Sequence, residues 1–182
     1  MGKVFLIVGA PAVGKSSTAK ALARRLPKSL HIPVDDLRDM VVSGLAYPGE
    51  NWSDALIEQL ALARKTAAQM AIDYGKAGFD VVIDDFWDPM SRLAEYDGLW
   101  EKAGTYRVLL YPSQEAAEAR NRKRSGIEQA SEYIAAGIRQ VYDSLKMEVD
   151  VLRGNGWRVI DTTDTSIEDT VGHILQLAGR AV

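Results

Sequence analysis

The run Gly9-Ala10-Pro11-Ala12-Val13-Gly14-Lys15-Ser16 spells G-x-x-x-x-G-K-S, a spacing whose chemistry is phosphate binding. Glycines at its two ends allow turns that a side chain would obstruct. The backbone N–H groups between them can wrap a phosphate, and the start of a following helix adds partial positive charge. Lys15 is expected to reach the β- and γ-phosphates of a nucleotide, and Ser16 to offer its hydroxyl to Mg²⁺. Ser17 follows within the same binding segment.

Two acidic pairs come next. Asp35 and Asp36 follow the apolar stretch His31-Ile32-Pro33-Val34. An Asp at the carboxyl end of a parallel strand can accept the proton of an attacking hydroxyl. The same pair also suits the first turn of a helix, where negative charge is stabilised. Asp84 and Asp85 end the run Val81-Val82-Ile83. A carboxylate there can hold Mg²⁺, directly or through water. Asp84 is expected nearer the metal and Asp85 nearer the acceptor. Arg38, Asp36, Asp85 and Trp87 are grouped as the acceptor-binding residues.

Arg120, Asn121, Arg122, Lys123 and Arg124 form a dense basic stretch. A charge run by itself describes a solvated helix face. Preceded by a phosphate loop and followed by Ser125-Gly126, it predicts a lid over about 120–130. Its Arg120 and Arg124, four residues apart on one face, would stabilise transferring charge. Tyr47, Trp52, Phe86 and Trp87 sit in loops where they could stack on an acceptor. His31 and His173 lack the partner spacing of a triad or metal site and are read as structural.

These residues need a scaffold, and the chain supplies one in alternating strands and helices. Strands are predicted at Val4–Val8, Leu30–Val34, Asp80–Asp84, Tyr106–Tyr111 and Trp157–Asp161. Helices are predicted at about 15–26, 35–43, 53–76, 89–103, 114–124, 127–152 and 166–179. In 53–76 the residues Leu56, Leu60, Ala63, Ala67, Met70 and Tyr74 make one apolar stripe. The expected fold is α/β: a five-stranded, mostly parallel sheet with helices on both faces, plus the small helical lid. One domain over 1–182 is expected from the length.

Composition narrows the partners. The chain carries a net charge of −3 and a pI near 5.5, which disfavours bulk nucleic-acid binding. It has no cysteine, so disulfides, thiolate nucleophiles and Cys-ligated metals are excluded. The N-terminal apolar run Val4–Val8 is too short for a signal core or a membrane span. A cytoplasmic location is expected.

Taken together these motifs resemble small P-loop kinases of the chloramphenicol phosphotransferase and zeta-toxin-like type. Val34-Asp35-Asp36-Leu37 is similar to that family's V-D-x-L, which implies that Asp35 is the base for the acceptor hydroxyl. Val82-Ile83-Asp84-Asp85 resembles its I-I-D-D strand end. Arg120 and Arg124 fall where its lid arginines stand. Asp161-Thr162-Thr163 resembles the D-T-T near its adenine site, which implies that Thr163 contacts the nucleotide. The resemblance implies a three-layer nucleotide-kinase core using ATP and Mg²⁺ on a small-molecule hydroxyl. It does not extend to 44–52, where the acceptor would be chosen. A polynucleotide 5′-hydroxyl kinase and an ATP-dependent switch remain alternatives on the same core.

Overall fold

The computed structural model describes residues 1–47, 52–100, 104–124 and 128–179. Five strands form one sheet: β1 (Val4–Val8), β2 (Ser29–Pro33), β3 (Asp80–Asp84), β4 (Thr105–Leu110) and β5 (Arg158–Ile160). Their order is β2-β3-β1-β4-β5, and all four pairings are parallel. All five residues of β1 are buried. Successive strand side chains point to opposite faces, so the sheet is covered on both sides. That burial explains why β1 reads as an unbroken apolar run and β3 as the apolar Val81-Val82-Ile83 between two aspartates.

The helices are α1 (Lys15–Arg25), α2 (Val34–Asp39), α3 (Asp54–Lys76), α4 (Asp97–Trp100), α5 (Gln114–Arg124), α6 (Glu128–Gly154) and α7 (Ile167–Leu177). α3 and α7 start on serine caps. Ser53 Oγ accepts from Leu56 N, and Ser166 Oγ accepts from Asp169 N, satisfying donors that the first turn leaves open.

Two helices differ from expectation. The helix expected at 35–43 stops at Asp39, ahead of the β-branched pair Val41-Val42 and the left-handed Gly44. Of the helix expected at 89–103, the stretch 89–100 instead holds a 3₁₀ turn, Ala94–Tyr96, and the single-turn α4, and 101–103 lie outside the described residues. Polar side chains compete there with helical hydrogen bonds. Asp88 Oδ1 accepts from Met90 N (2.9 Å) and Ser91 N (3.3 Å), and Ser91 Oγ accepts from Leu93 N (3.2 Å). Arg92 and Leu93 consequently sit in the left-handed region, at φ 49° and 62°.

Candidate active site

The phosphate loop connects β1 to α1 at the carboxyl edge of the sheet. A Cβ at Gly9 would lie 2.6 Å from the Leu110 carbonyl oxygen and 2.8 Å from Val13 Cγ2, so only glycine fits. Gly14 caps α1 at φ 97° with no side-chain hydrogen bond to the helix. Ala12, between them, is also left-handed at φ 63°, the kind of backbone strain that concentrates at binding sites. Unlike α3 and α7, α1 therefore begins with its first N–H groups uncapped by a side chain and with no acidic residue in its first turn. That is an anion-binding end. Lys15 Nζ donates to the Ala10 carbonyl at 2.9 Å, which holds the ammonium across the loop.

Asp84 meets this loop because β3 is β1's neighbour and Ile7 pairs with Asp84. Ser16 Oγ donates to Asp84 Oδ1 at 2.6 Å, across 68 residues of sequence. A hydroxyl and one carboxylate are hard oxygen donors, and they suit Mg²⁺ that takes its other ligands from phosphates and water. Among the described residues no three His, Cys, Asp or Glu groups converge as a protein-only metal site. Asp84 Oδ2 lies 2.6 Å from His31 Nε2. The sequence gives no local sign of this pair, because His31 and Asp84 stand 53 residues apart.

Asp35 and Asp36 occupy the first turn of α2, exposed at the carboxyl end of β2. Neither caps the helix, since Pro33 stands at the cap with no side-chain bond. Arg38 is half-buried, and its Nε has no hydrogen-bond partner among the described residues.

Asp85 departs from expectation. It is 3% exposed, and both its oxygens are engaged inside the protein. Oδ2 accepts from Arg64 Nε (2.8 Å) and Tyr96 Oη (3.0 Å), and Oδ1 from Phe86 N (2.8 Å). The Asp85 carboxylate is turned into the protein, where the expectation set it toward an acceptor. Arg64, 1% exposed, also donates through Nη1 to Asp88 Oδ2 (2.7 Å) and Ser91 Oγ (3.1 Å). Burial opposes the Arg64 charge, but the Asp85 and Asp88 carboxylates outweigh it and raise its pKa. Burial lifts Asp85 above the ordinary carboxylate range against the pull of Arg64, and the nearby Asp35 charge adds to the lift. Asp88 also feels burial, but the Arg64 hydrogen bond and charge hold it below the usual 3.8.

Arg64 went unseen in the sequence. The clue was its position: it falls four residues after Leu60 and three before Ala67, on the buried face of α3. Its guanidinium lies 4.9 Å from the centre of the Phe86 ring, and Trp52 meets that ring edge-on at 5.9 Å. Trp52 and Phe86 thus pair with each other beside Asp85, where the expectation was that they stack on an acceptor. Trp87 does not join them. It is buried in the core against Trp157, with ring centroids 5.7 Å apart, because the large indole is worth more packed than exposed. Tyr47 is exposed, with no ring contact among the described residues.

The basic stretch is divided. Arg122 and Lys123 are exposed, whereas Asn121 is buried. Arg120 turns inward: Nη2 donates to the carbonyls of Thr162 (2.5 Å) and Thr163 (3.1 Å), and Nη1 reaches the Val13 carbonyl at 3.5 Å. The expectation set Arg120 on transferring charge; here its guanidinium is directed at backbone carbonyls. Arg120 instead ties the phosphate loop to the loop after β5. Thr163 lies in that loop; its Oγ1 donates to Asp161 Oδ1 and accepts from Ser113 N at 2.8 Å. Hydrogen bonds from the Thr163 hydroxyl and N–H lower the Asp161 pKa. Arg124 ends α5. Its side chain, and residues 125–127 of the expected lid, lie outside the described residues. No helix among the described residues is long and apolar enough to cross a membrane.

Comparison with known proteins gives two results of different grain. The sequence matches the AAA domain family over residues 4–147, while no curated protein matches it. The fold is shared with solved structures. A sugar kinase from Janibacter sp. superposes with TM-score 0.66 at 14% identity, covering 100% of this chain and 96% of that one. A gluconokinase from Sinorhizobium meliloti gives 0.62 at 19%, covering 98% and 91%. The Deinococcus radiodurans tunicamycin resistance protein gives 0.62 at 17%, covering 99% and 98%. The expected α/β P-loop kinase-like fold is thus the observed one, and the coarser family stands where the chloramphenicol phosphotransferase-like one was expected.

Proposed function

The chain belongs to the AAA domain family, and from that premise we propose that it is an ATP-dependent phosphotransferase. It moves the γ-phosphoryl of Mg-ATP to a hydroxyl of a small-molecule acceptor in the cytoplasm. Residues 1–182 act as a single catalytic domain. One observation carries this reading: the Ser16–Asp84 contact at 2.6 Å, set beside the uncapped start of α1. It supports a nucleotide phosphate and a hard cation held together at one sheet edge, with Asp35 two strands away from the loop.

In this proposal Gly9 to Ser17 cradle the phosphates and Lys15 swings from the Ala10 carbonyl onto the β- and γ-oxygens. Ser16 and Asp84 hold the metal, which when bound neutralises phosphate charge. Thr163 and Arg120 border the nucleoside. Asp35 orients the acceptor hydroxyl and takes its proton, a task open to an exposed carboxylate at a strand end. Arg38, Asp36 and the Trp52–Phe86 pair bound the acceptor, while Arg64 and Asp85 fix the wall behind them.

The test is a thermal-shift panel of hydroxyl acceptors run with Mg²⁺ and a non-hydrolysable ATP analogue. Stabilisation by the analogue, increased by one class of small-molecule alcohol, is the expected result. An increase only with oligonucleotides bearing a 5′-hydroxyl would replace the acceptor class. No stabilisation by the analogue would refute the nucleotide site.

A further inference from the structure

We propose that His31 is a positioning residue that fixes the Asp84 carboxylate in its metal-facing orientation; this rests on the phosphotransferase reading above. β2 and β3 pair in parallel with His31 opposite Val82 and Pro33 opposite Asp84. Strand side chains alternate, so His31, Val82 and Asp84 share one face of the sheet. That places the imidazole two residues along the pair from the carboxylate, within reach of it.

The contacts on Asp84 are complementary. Ser16 Oγ donates to Oδ1 at 2.6 Å and His31 Nε2 lies 2.6 Å from Oδ2. A carboxylate only accepts, so Nε2 is the nitrogen that carries the proton. The Asp84 side chain is 6% exposed and the His31 side chain 21%. Without His31, Oδ2 would be a buried charged oxygen that has lost its donor, a costly state. The carboxylate would then turn to find another partner, taking Oδ1 from Ser16. With His31 in place the carboxylate has one orientation, and Ser16 keeps its oxygen lone pairs directed at the cation site. Partners of this kind, one step out from a metal, are typically worth 10–100-fold in metal affinity. No motif announces His31, because its role depends on strand register and not on local sequence.

The probe is Mn²⁺, counted as the free ion by electron paramagnetic resonance in the presence of ADP. The proteins are wild type, His31→Leu and His31→Gln. His31→Leu is expected to weaken Mn²⁺ binding about tenfold. His31→Gln, which keeps an N–H donor, recovers most of that loss. ADP affinity measured in EDTA stays equal across all three, which also reports that the loop remains folded. Equal Mn²⁺ affinity in His31→Leu and wild type overturns the proposal. So does a His31→Gln variant as weak as His31→Leu, or an equal fall in metal-free ADP affinity. Absence of any ADP-dependent Mn²⁺ binding by the wild type overturns the phosphotransferase reading together with this one. Normal wild-type binding with unaffected His31 variants overturns this one alone.

Discussion

In the proposed nucleotide site the groups that could hold phosphate come from one continuous stretch, Gly9 to Ser17, and chiefly from backbone. In the proposed acceptor region a single buried guanidinium, Arg64, reaches Asp85 and Asp88 across 21 and 24 residues of sequence. The first bank is a loop held by glycine geometry and a helix start. The second is a low-dielectric charge network closed to solvent, with exposed carboxylates standing in front of it. A loop of the first kind tolerates little change in residue type but needs few distant partners. A network of the second kind is costly to break at any member. Each variant below tests one bank against the other.

The largest effect is expected at the acceptor bank. Asp35→Asn keeps size and cannot take a proton, so phosphoryl transfer should fall by about 10²–10⁴-fold. ATP affinity should hold, as calorimetric titration would register. If ATP binding falls as far as transfer does, the two banks are not separable.

Arg64→Met probes the wall behind Asp35. Removing one partner of a buried charge network costs about 3–5 kcal/mol. For a chain of this length that lowers the melting temperature by roughly 10 °C. A change of only a degree or two would mean that the network is not what holds the acceptor wall. At the opposite bank, Lys15→Ala should lower turnover by about 10²–10³-fold, the scale of losing one donor to developing charge. Here the melting temperature of the free protein should barely move.

The nucleotide bank was readable because its information is local. Spacing alone identified Gly9, Gly14, Lys15 and Ser16, and the strand-loop-helix order around them is the observed one. β1 and β3 matched residue for residue, since buried parallel strands read as apolar runs. The Ser16–Asp84 contact was legible too, because a strand-end carboxylate beside such a loop has few other uses. The acceptor bank was not readable in this way. Arg64 hid within an apolar helical stripe, and Asp85 looked available until its three donors were seen. Trp87 looked like a loop aromatic and is core. His31 needed the β2–β3 register. The helix expected at 89–103 failed because Asp88 and Ser91 capture backbone N–H groups, a competition that periodicity does not register.

Arg120 offers a smaller test. With its donors on the Val13, Thr162 and Thr163 carbonyls, Arg120→Ala should weaken nucleotide binding about tenfold, equivalent to about 1.4 kcal/mol. Turnover at saturating ATP should stay near wild type. A collapse of turnover with affinity unchanged would restore the transition-state role expected for this arginine.

The smallest effect concerns acid. Asp88 titrates below its ordinary value because of Arg64. A depressed carboxyl stabilises the fold above the unfolded pKa, and that stability is lost as pH falls through the folded value. Asp88→Asn lacks this term. The melting-temperature gap between wild type and Asp88→Asn should therefore be widest near pH 6 and narrow below the usual 3.8. A gap independent of pH would show that the Asp88 charge contributes nothing.

The central claim is that the two banks act on one phosphoryl group, and γ-labelled ATP tests it most directly. Wild type and Asp35→Asn are incubated with Mg²⁺ and the acceptor that gives the largest thermal shift, and label is followed into acceptor and into free phosphate. The account predicts label on the acceptor in wild type, lost in Asp35→Asn, with little free phosphate in either. Free phosphate released at the same rate with and without acceptor, and unchanged by Asp35→Asn, would contradict it and make the protein an ATP-hydrolysing switch.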